Sequence, residues 1–483
     1  MPELPVILTA VGAMLLVGAF SNKLSARFNV PILLIFLVVG MLIGQDHIPE
    51  DLEFTRMSAA GTVAMCFILF SGGLNTRYNS IRSVLLPGGL LATVGVILTT
   101  LIFGCCVQLC FRDVKFSECL LLGAMISSTD AAAVFAILSG NRVGLKGKLR
   151  PLLELESGSN DPMAYFLTLF MIDIVLGKSG LTGSALFLLV YRMAAGVLLG
   201  IITGMFGRLL YRIRLEYEGL YFVFDIALVL LAYGLTEGIN GNGMMACYVC
   251  GITMNHLGFH YQKGISRFSD GVSWLMQVIL FTTLGIFVDF KGLPAISAWG
   301  LLLAAIMMFI ARPAAVFLTL PGGRFSFREK LLISWVGLRG AAPIVLATFP
   351  LAYGVSNAKF YFNMIFFMVL VSMIVQGTTL MPLARLLKLD QPTDDRERLP
   401  LELESTPASS GHEMKEFTVP ADADYIGKTI AELELPRGVL ITLVRRGKQL
   451  VQPNGSTHIE AGDGLLMLGK HRLLNEVEKR FFS

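Results

Sequence analysis

Along its hydrophobic and polar positions the chain alternates between long apolar runs and short polar connectors as far as about residue 388, where the pattern changes. Runs long enough to cross a hydrocarbon core of about 30 Å number about thirteen. Their centres fall near Met14, Leu37, Ala64, Gly95, Ser128, Phe166, Leu198, Ala227, Tyr248, Leu280, Ile306, Gly340 and Val371. Several contain Gly or Pro, which loosen a helix or remove one of its hydrogen bonds. The pattern predicts an all-α polytopic membrane protein over residues 1–388. The first run, residues 4–20, lacks the basic start and small-residue cleavage site of a secretory signal, so it is expected as the first span.

Composition agrees with that reading, since 54% of the 483 residues are hydrophobic and only 15% are charged. The net charge of +4 does not point to nucleic acid, because the basic residues are dispersed between apolar runs and form no patch. Their dispersal does set an orientation. Lys23 and Arg27, Arg77 and Arg82, Arg142 with Lys146, Lys148 and Arg150, Arg212 and Arg214, Lys263 and Arg267, and Arg324 with Arg328 and Lys330 occupy alternate connectors. The positive-inside rule places that set in the cytoplasm, with the amino terminus outside and the carboxyl-terminal part inside.

A faint internal repeat relates the second run, PILLIFLVVGMLIG, to the ninth, NGMMACYVCGITMN, by glycine spacing; the runs after them end in GGLNT and GIFVDF. Because this offset spans an odd number of crossings, one half is inverted relative to the other, which places a substrate site at the repeat interface near the midplane. The same offset makes the twelfth run, with its GLRGAAP, the counterpart of the fifth.

The chain is organised around residues 127–162, where SSTDAAAVFAILSG and LRPLLELESGSNDP carry Asp130, Glu156 and Asp161 inside apolar runs. Ionisable groups at membrane depth are costly and mark functional sites, and acids there call for a cation. At 100° per residue Glu156, Ser157, Asn160 and Asp161 share an arc of roughly 140° on one helix. Ser127, Ser128 and Thr129 can replace helical hydrogen bonds if the other helix unwinds, which would free backbone carbonyls as hard oxygen ligands. Glu154 points roughly 160° from Glu156 and is expected outside the cluster.

At these residues the chain resembles the bacterial sodium/proton and potassium/proton antiporters of the NhaP kind. Their paired signature is matched by Thr129-Asp130 and by Glu156-Ser157-Gly158-Ser159-Asn160-Asp161, and the resemblance extends over about residues 4–387. Many relatives have Pro after the Asp, where Ala131 stands here, so the break after Asp130 has less local cause. The resemblance implies inverted repeats with broken crossing helices, a homodimer in the bacterial inner membrane, and a potassium or sodium ion exchanged for a proton. It places the cation and proton at Asp161, Asp130, Thr129 and Ser157, with Asn160 beside them. It also makes Arg339, within ISWVGLRGAAPIVLATF, the ion-pair partner of Glu156. With that pair neutral, Asp161, assisted by Asp130, becomes the titrating group, and competition between proton and cation for its oxygens couples the two fluxes in an electroneutral exchange.

Other features receive structural readings. Arg192, Asp225 and Arg312 are expected as scaffold ion pairs. The chain has seven cysteines; Cys247 and Cys250 form a CxxC with no second ligand pair, so helix packing is expected there. His256 and His260 in a connector are expected to be ordinary loop residues.

Residues 389–412 are polar, charged and interrupted by Pro, as in a linker. Beyond them EMKEFTVP, VLITLVRRG, KQLVQP and GDGLLMLGK predict strands, with short helices at 426–433 and 472–481, a small α+β domain over 413–483. This segment resembles the TrkA-C (RCK-C) module of potassium-transport regulators, which implies a cytoplasmic regulatory domain with a small ligand of unspecified identity. No GxGxxG precedes it, so NAD or ATP is not expected, and no cofactor is expected besides the transported cation. A channel would need repeated pore loops, and an intramembrane enzyme would need a base to activate Ser157, where no span supplies a His. The expected function is therefore transport and not catalysis.

Overall fold

In the computed structural model the described residues are 33–44, 54–140, 143–178, 183–213, 215–217, 219–259, 261–288, 292–320, 322–392, 412–420, 423–447 and 449–481, with isolated positions between 5 and 16. The expected first span lies outside the described residues apart from those positions. The chain divides into two compact units, with the main boundary between Arg396 and Glu397.

The larger unit is helical. In chain order it contains α1 (Leu33–Gly44), α2 (Phe54–Asn75), α3 (Tyr78–Cys110), α4 (Phe116–Ile126), α5 (Ala131–Gly140), β1 (Val143–Leu145) and α6 (Leu149–Val175). There follow α7 (Gly183–Leu210), α8 (Leu220–Gly238), α9 (Gly243–Leu257), α10 (Gln262–Ile286), α11 (Leu293–Thr319), α12 (Phe327–Trp335), α13 (Ala341–Ala352), α14 (Ala358–Leu386) and β2 (Asp390–Pro392). Eight helical segments among the described residues, one of them α4 and α5 taken together, are long and apolar enough to cross a membrane. The expected spans at α1, α6, α9 and α12 with α13 are helical too, but short, charged or interrupted. Every expected centre from Leu37 to Val371 falls in this series, and two of them, Ser128 and Gly340, fall on breaks between helices.

The repeat is visible as matched packing. Gly73 of α2 lies against the Tyr248 carbonyl of α9, and Gly251 of α9 lies against the Phe70 carbonyl of α2. Gly40 of α1 and Gly285 of α10 approach the Thr282 and Leu37 carbonyls in the same reciprocal way. A Cβ at any of these positions would collide with backbone, so glycine is what lets the helix axes come this close. The two contacts exchange under the sequence repeat, Gly40 with Gly251 and Gly73 with Gly285. A π-helical turn at Leu91–Gly95 in α3 has its counterpart at Met307–Ala311 in α11, and each packs on the other helix.

By contact, α2, α7, α8 and α9 form one group of helices, while α3, α4, α6, α11 and α14 form another around the breaks. The segment expected as the start of the linker is partly structured. Residues 390–392 pair antiparallel with 143–145, Lys146 N–H donates to the Leu389 carbonyl at 3.0 Å, and Lys146 Nζ reaches the Lys388 carbonyl at 3.0 Å. The connector between α5 and α6 is thereby fastened to the end of α14.

The smaller unit is an antiparallel sheet with β3 (His412–Thr418), β4 (Leu440–Arg446), β5 (Gln449–Val451) and β6 (Gly464–Lys470) in the order β3-β6-β4-β5, and a final helix α15 (His471–Phe481). Phe417, Val444, Leu465, Met467, Leu474 and Val477 are buried between sheet and helix. The helix expected at 426–433 is a shorter 3-10 turn, Ile430–Leu433, closed by a capping box in which Glu432 accepts the Thr429 N–H at 2.8 Å. That hydrogen bond holds the Glu432 carboxyl below the usual carboxylate range. Gly427 at φ +85° precedes the turn and cuts the predicted helix short.

Candidate functional site

A broken helix inside a bilayer leaves carbonyl and N–H groups that water cannot satisfy, so other protein groups must. Between α4 and α5 the carbonyls of Ser127 and Ser128 both accept from Arg339 Nη1, at 2.7 and 2.6 Å. The Thr129 carbonyl accepts from Ser157 Oγ at 3.0 Å, and Ser157 Oγ in turn accepts the Ala131 N–H at 3.0 Å. Asp130 N–H donates to the Leu338 carbonyl at 2.7 Å, which ties the first break to the second. Asp130 Oδ1 accepts the Ala133 N–H at 3.1 Å and so caps α5, placing negative charge at a helix amino terminus.

The second break, between α12 and α13, is supported by α14. Arg339 N–H donates to Ser372 Oγ at 3.1 Å, Ser372 Oγ bonds Gln376 Oε1, and Gln376 Nε2 donates to the Trp335 carbonyl at 2.9 Å. Trp335 Nε1 adds a bond to Thr379 Oγ1 at 3.0 Å. The breaks pass so close that a Cβ on Gly340 would overlap the Asp130 carboxylate. These are the crossing broken helices expected of the fold.

A cavity of about 420 Å³ ends at this crossing. Asp161, Asp130, Ser128, Thr129 and Ser157 face its inner end, and Arg150, Glu154 and Asp270 line its more exposed part. Ser128 Oγ donates to Asp161 Oδ1. Asp270 of α10 is held by Ser71 Oγ at 2.7 Å and Asn75 Nδ2 at 2.5 Å, both from α2. Carboxylate and hydroxyl oxygens dominate the inner end, a donor set suited to a desolvated monovalent cation and able to hold a proton at the same carboxylate.

Four of the expected site residues, Asp161, Asp130, Thr129 and Ser157, therefore line one cavity. Asn160 does not; it is buried behind it, and its Nδ2 donates to Thr129 Oγ1 at 2.6 Å, splinting the break. The expected Glu156–Arg339 pair is replaced. Glu156 pairs with Arg312 of α11 at 2.5 Å, both side chains being almost wholly buried. Arg339 instead directs Nη1 to the two carbonyls of the first break, and among the described residues the ion pair of Glu156 is with Arg312. The 140° arc thus splits, Glu156 and Asn160 turning into the protein and Ser157 and Asp161 facing the cavity.

Ser128, Glu154 and the Ser372–Gln376 support were missed as site residues. Glu154 was detectable: seven residues before Asp161 puts it within about 20° of that side chain on the helix, whereas comparison with Glu156 alone hid this. Ser372 and Gln376 carry no local signal. Of the charges read as scaffold, Asp225 accepts from Ser269 Oγ at 2.6 Å, and Arg192 lies over the Phe166 ring at 5.7 Å. Cys247 and Cys250 are buried in packing. The His256 ring sits against Tyr78, while His260 lies outside the described residues.

The sodium/hydrogen exchanger transmembrane family matches residues 11–386, a span that contains both breaks and the whole cavity. The chain belongs to that family. A TrkA-C domain matches residues 414–481. Over 485 residues this exchanger is 39% identical to the K(+)/H(+) antiporter NhaP2 of Shewanella oneidensis, which covers 98% of this chain and 82% of that protein. It is 32% identical to the K(+)/H(+) antiporter NhaP of Alkalimonas amylolytica over 475 residues, 97% of this chain and 82% of the relative. The structure of the sodium proton antiporter MjNhaP1 from Methanocaldococcus jannaschii superposes with a TM-score of 0.67 at 25% identity, covering 78% of this chain and all of that one. Cation/proton antiport is thus the activity that these matches support for this exchanger.

Proposed function

We propose that this exchanger moves potassium in preference to sodium against protons, with cation and proton competing for Asp161 at the inner end of the cavity. The observation that carries the reading is the convergence of Asp161, Asp130, Ser128 and Thr129 on one cavity where two helices are unwound. A bare carboxylate is expensive in low dielectric, so the site changes access only when loaded with one ligand or the other. That requirement makes the transport an exchange. Potassium is favoured by the tail, which resembles a module of potassium-transport regulation, and by the relatives named potassium/proton antiporters that match along almost the whole chain. The distribution of basic connectors supports an amino terminus outside and a cytoplasmic carboxyl-terminal domain.

The charge count supports electroneutral exchange. Arg312 and Glu156 neutralise each other, and the Asp130 carboxylate is engaged as the cap of α5. Asp161, which neither joins an ion pair nor caps a helix, is taken as the exchanging carboxylate, holding either one proton or one monovalent cation. Clamping the potential of reconstituted vesicles at different values is therefore expected to leave the steady exchange rate nearly constant. A steep voltage dependence would overturn the one-for-one count.

The tail is proposed to limit activity in response to a cytoplasmic ligand or pH. Support comes from the β1–β2 ladder, which fastens the connector between the two site helices to residues 390–392, at the start of the linker. A truncation after Arg396 keeps that ladder, whereas one after Leu389 removes it. Potassium- and sodium-driven proton flux should persist in the first truncation with a changed activation profile. Sodium-only exchange would refute the ion choice, and identical profiles with and without the tail would refute the regulation.

A further inference from the structure

Pro162 follows Asp161 directly and has no N–H, so the Gly158 carbonyl one turn earlier lacks its usual helical donor and α6 is weakened beside the carboxylate. Tyr248 of α9 and Asn242, the residue that caps it, brace this weak point. Tyr248 packs its ring on Gly158, where no Cβ would fit, and its hydroxyl donates to the Glu154 carbonyl at 3.4 Å. Asn242, just before α9 and 2% exposed, donates from Nδ2 to the Pro162 carbonyl at 2.8 Å. The same side chain accepts the Met245 N–H at 3.0 Å as the cap of α9, and the Asn242 N–H donates to the Arg192 carbonyl of α7 at 3.0 Å.

The two braces differ in place. Tyr248 lines the cavity, whereas Asn242 and Pro162 do not, so their hydrogen bond lies beyond its closed end. Asp161 is bracketed between an open-side contact at Gly158 and a closed-side contact at Pro162, both made by the helix group of α7 and α9. We propose that Asn242 is a positioning residue for exchange: its amide holds the Pro162 carbonyl and thereby fixes where Asp161 stands at the cavity's inner end. This rests on the reading of Asp161 as the exchanging carboxylate. Capping alone would use only Oδ1; the donor on Nδ2 is the part that acts on α6.

Substitution separates the two roles. Asn242→Ser keeps a capping oxygen but loses the amide donor, and Asn242→Asp keeps cap and side-chain length without the donor. Loss of one buried neutral hydrogen bond is expected to raise the half-saturating potassium concentration about 3- to 10-fold in reconstituted vesicles, with maximal rate near wild type and a modest loss of thermal stability. The pH profile of exchange should shift with it. If Ser at this position lowers folding, the Asp variant supplies the same readout. Half-saturation and pH profile equal to wild type in a folded variant would reduce Asn242 to a helix cap and overturn the proposal. Asp161→Asn measured alongside separates the levels: retained exchange there would remove the underlying reading, whereas loss there with unaffected Asn242 variants would remove only this inference.

Discussion

Asp161→Asn is expected to reduce cation-dependent proton flux to the level of protein-free vesicles while leaving extraction yield and thermal stability close to wild type. The amide oxygen is isosteric with Oδ1 and can still accept from Ser128 Oγ, so the break between α4 and α5 keeps its bonds. What disappears is the ability to exchange a proton for a positive ion at that atom. Normal flux from a folded Asn variant would show that the coupling runs through another group. Because the neighbouring Asp130 caps α5 and bonds the second break through its backbone, it cannot take over without altering the crossing.

The second large effect is on stability. Arg312→Met is expected to destabilise the protein by about 3–5 kcal/mol, because Glu156 would be left charged and unpaired inside the helical core. The same change combined with Glu156→Leu should recover most of the loss, since replacing both members of a buried pair by apolar side chains is often neutral. Thermal unfolding of detergent-extracted single and double variants measures the coupling. The same cycle with Arg339→Met decides between partners: Glu156→Leu should fail to rescue it, because Arg339 holds the Ser127 and Ser128 carbonyls. Rescue of Arg339→Met but not of Arg312→Met would restore the pairing that the sequence resemblance implies.

The smaller unit was legible in almost all its parts. Its strands are short runs rich in apolar residues between turn signals, and β3, β4, β5 and β6 lie where those signals place them. The predicted helix at 426–433 failed because Gly427 and the Thr429 cap start a turn of only four residues. Asp390–Pro392 read as linker because three residues carry too little pattern to announce a strand, and its partner lies far away in sequence at Val143–Leu145.

In the membrane unit the sequence by itself determined the apolar spans, the repeat and the depth of the acids, since each depends on local composition or on spacing along one helix. Glycine spacing even anticipated which positions meet, as the reciprocal contacts of Gly40 with α10 and Gly251 with α2 show. Tertiary structure alone decided the breaks and the charge pairing. Ala131 gives the chain little local reason to leave a helix, yet residues 127–130 unwind because Arg339, Ser157 and the Leu338 carbonyl satisfy their backbone. Glu156 had two buried arginines in reach by sequence, and helical periodicity does not say which neighbour stands opposite a given face. That choice follows from the packing of α6 against α11, where Arg312 meets Glu156 and leaves Arg339 to hold the crossing open.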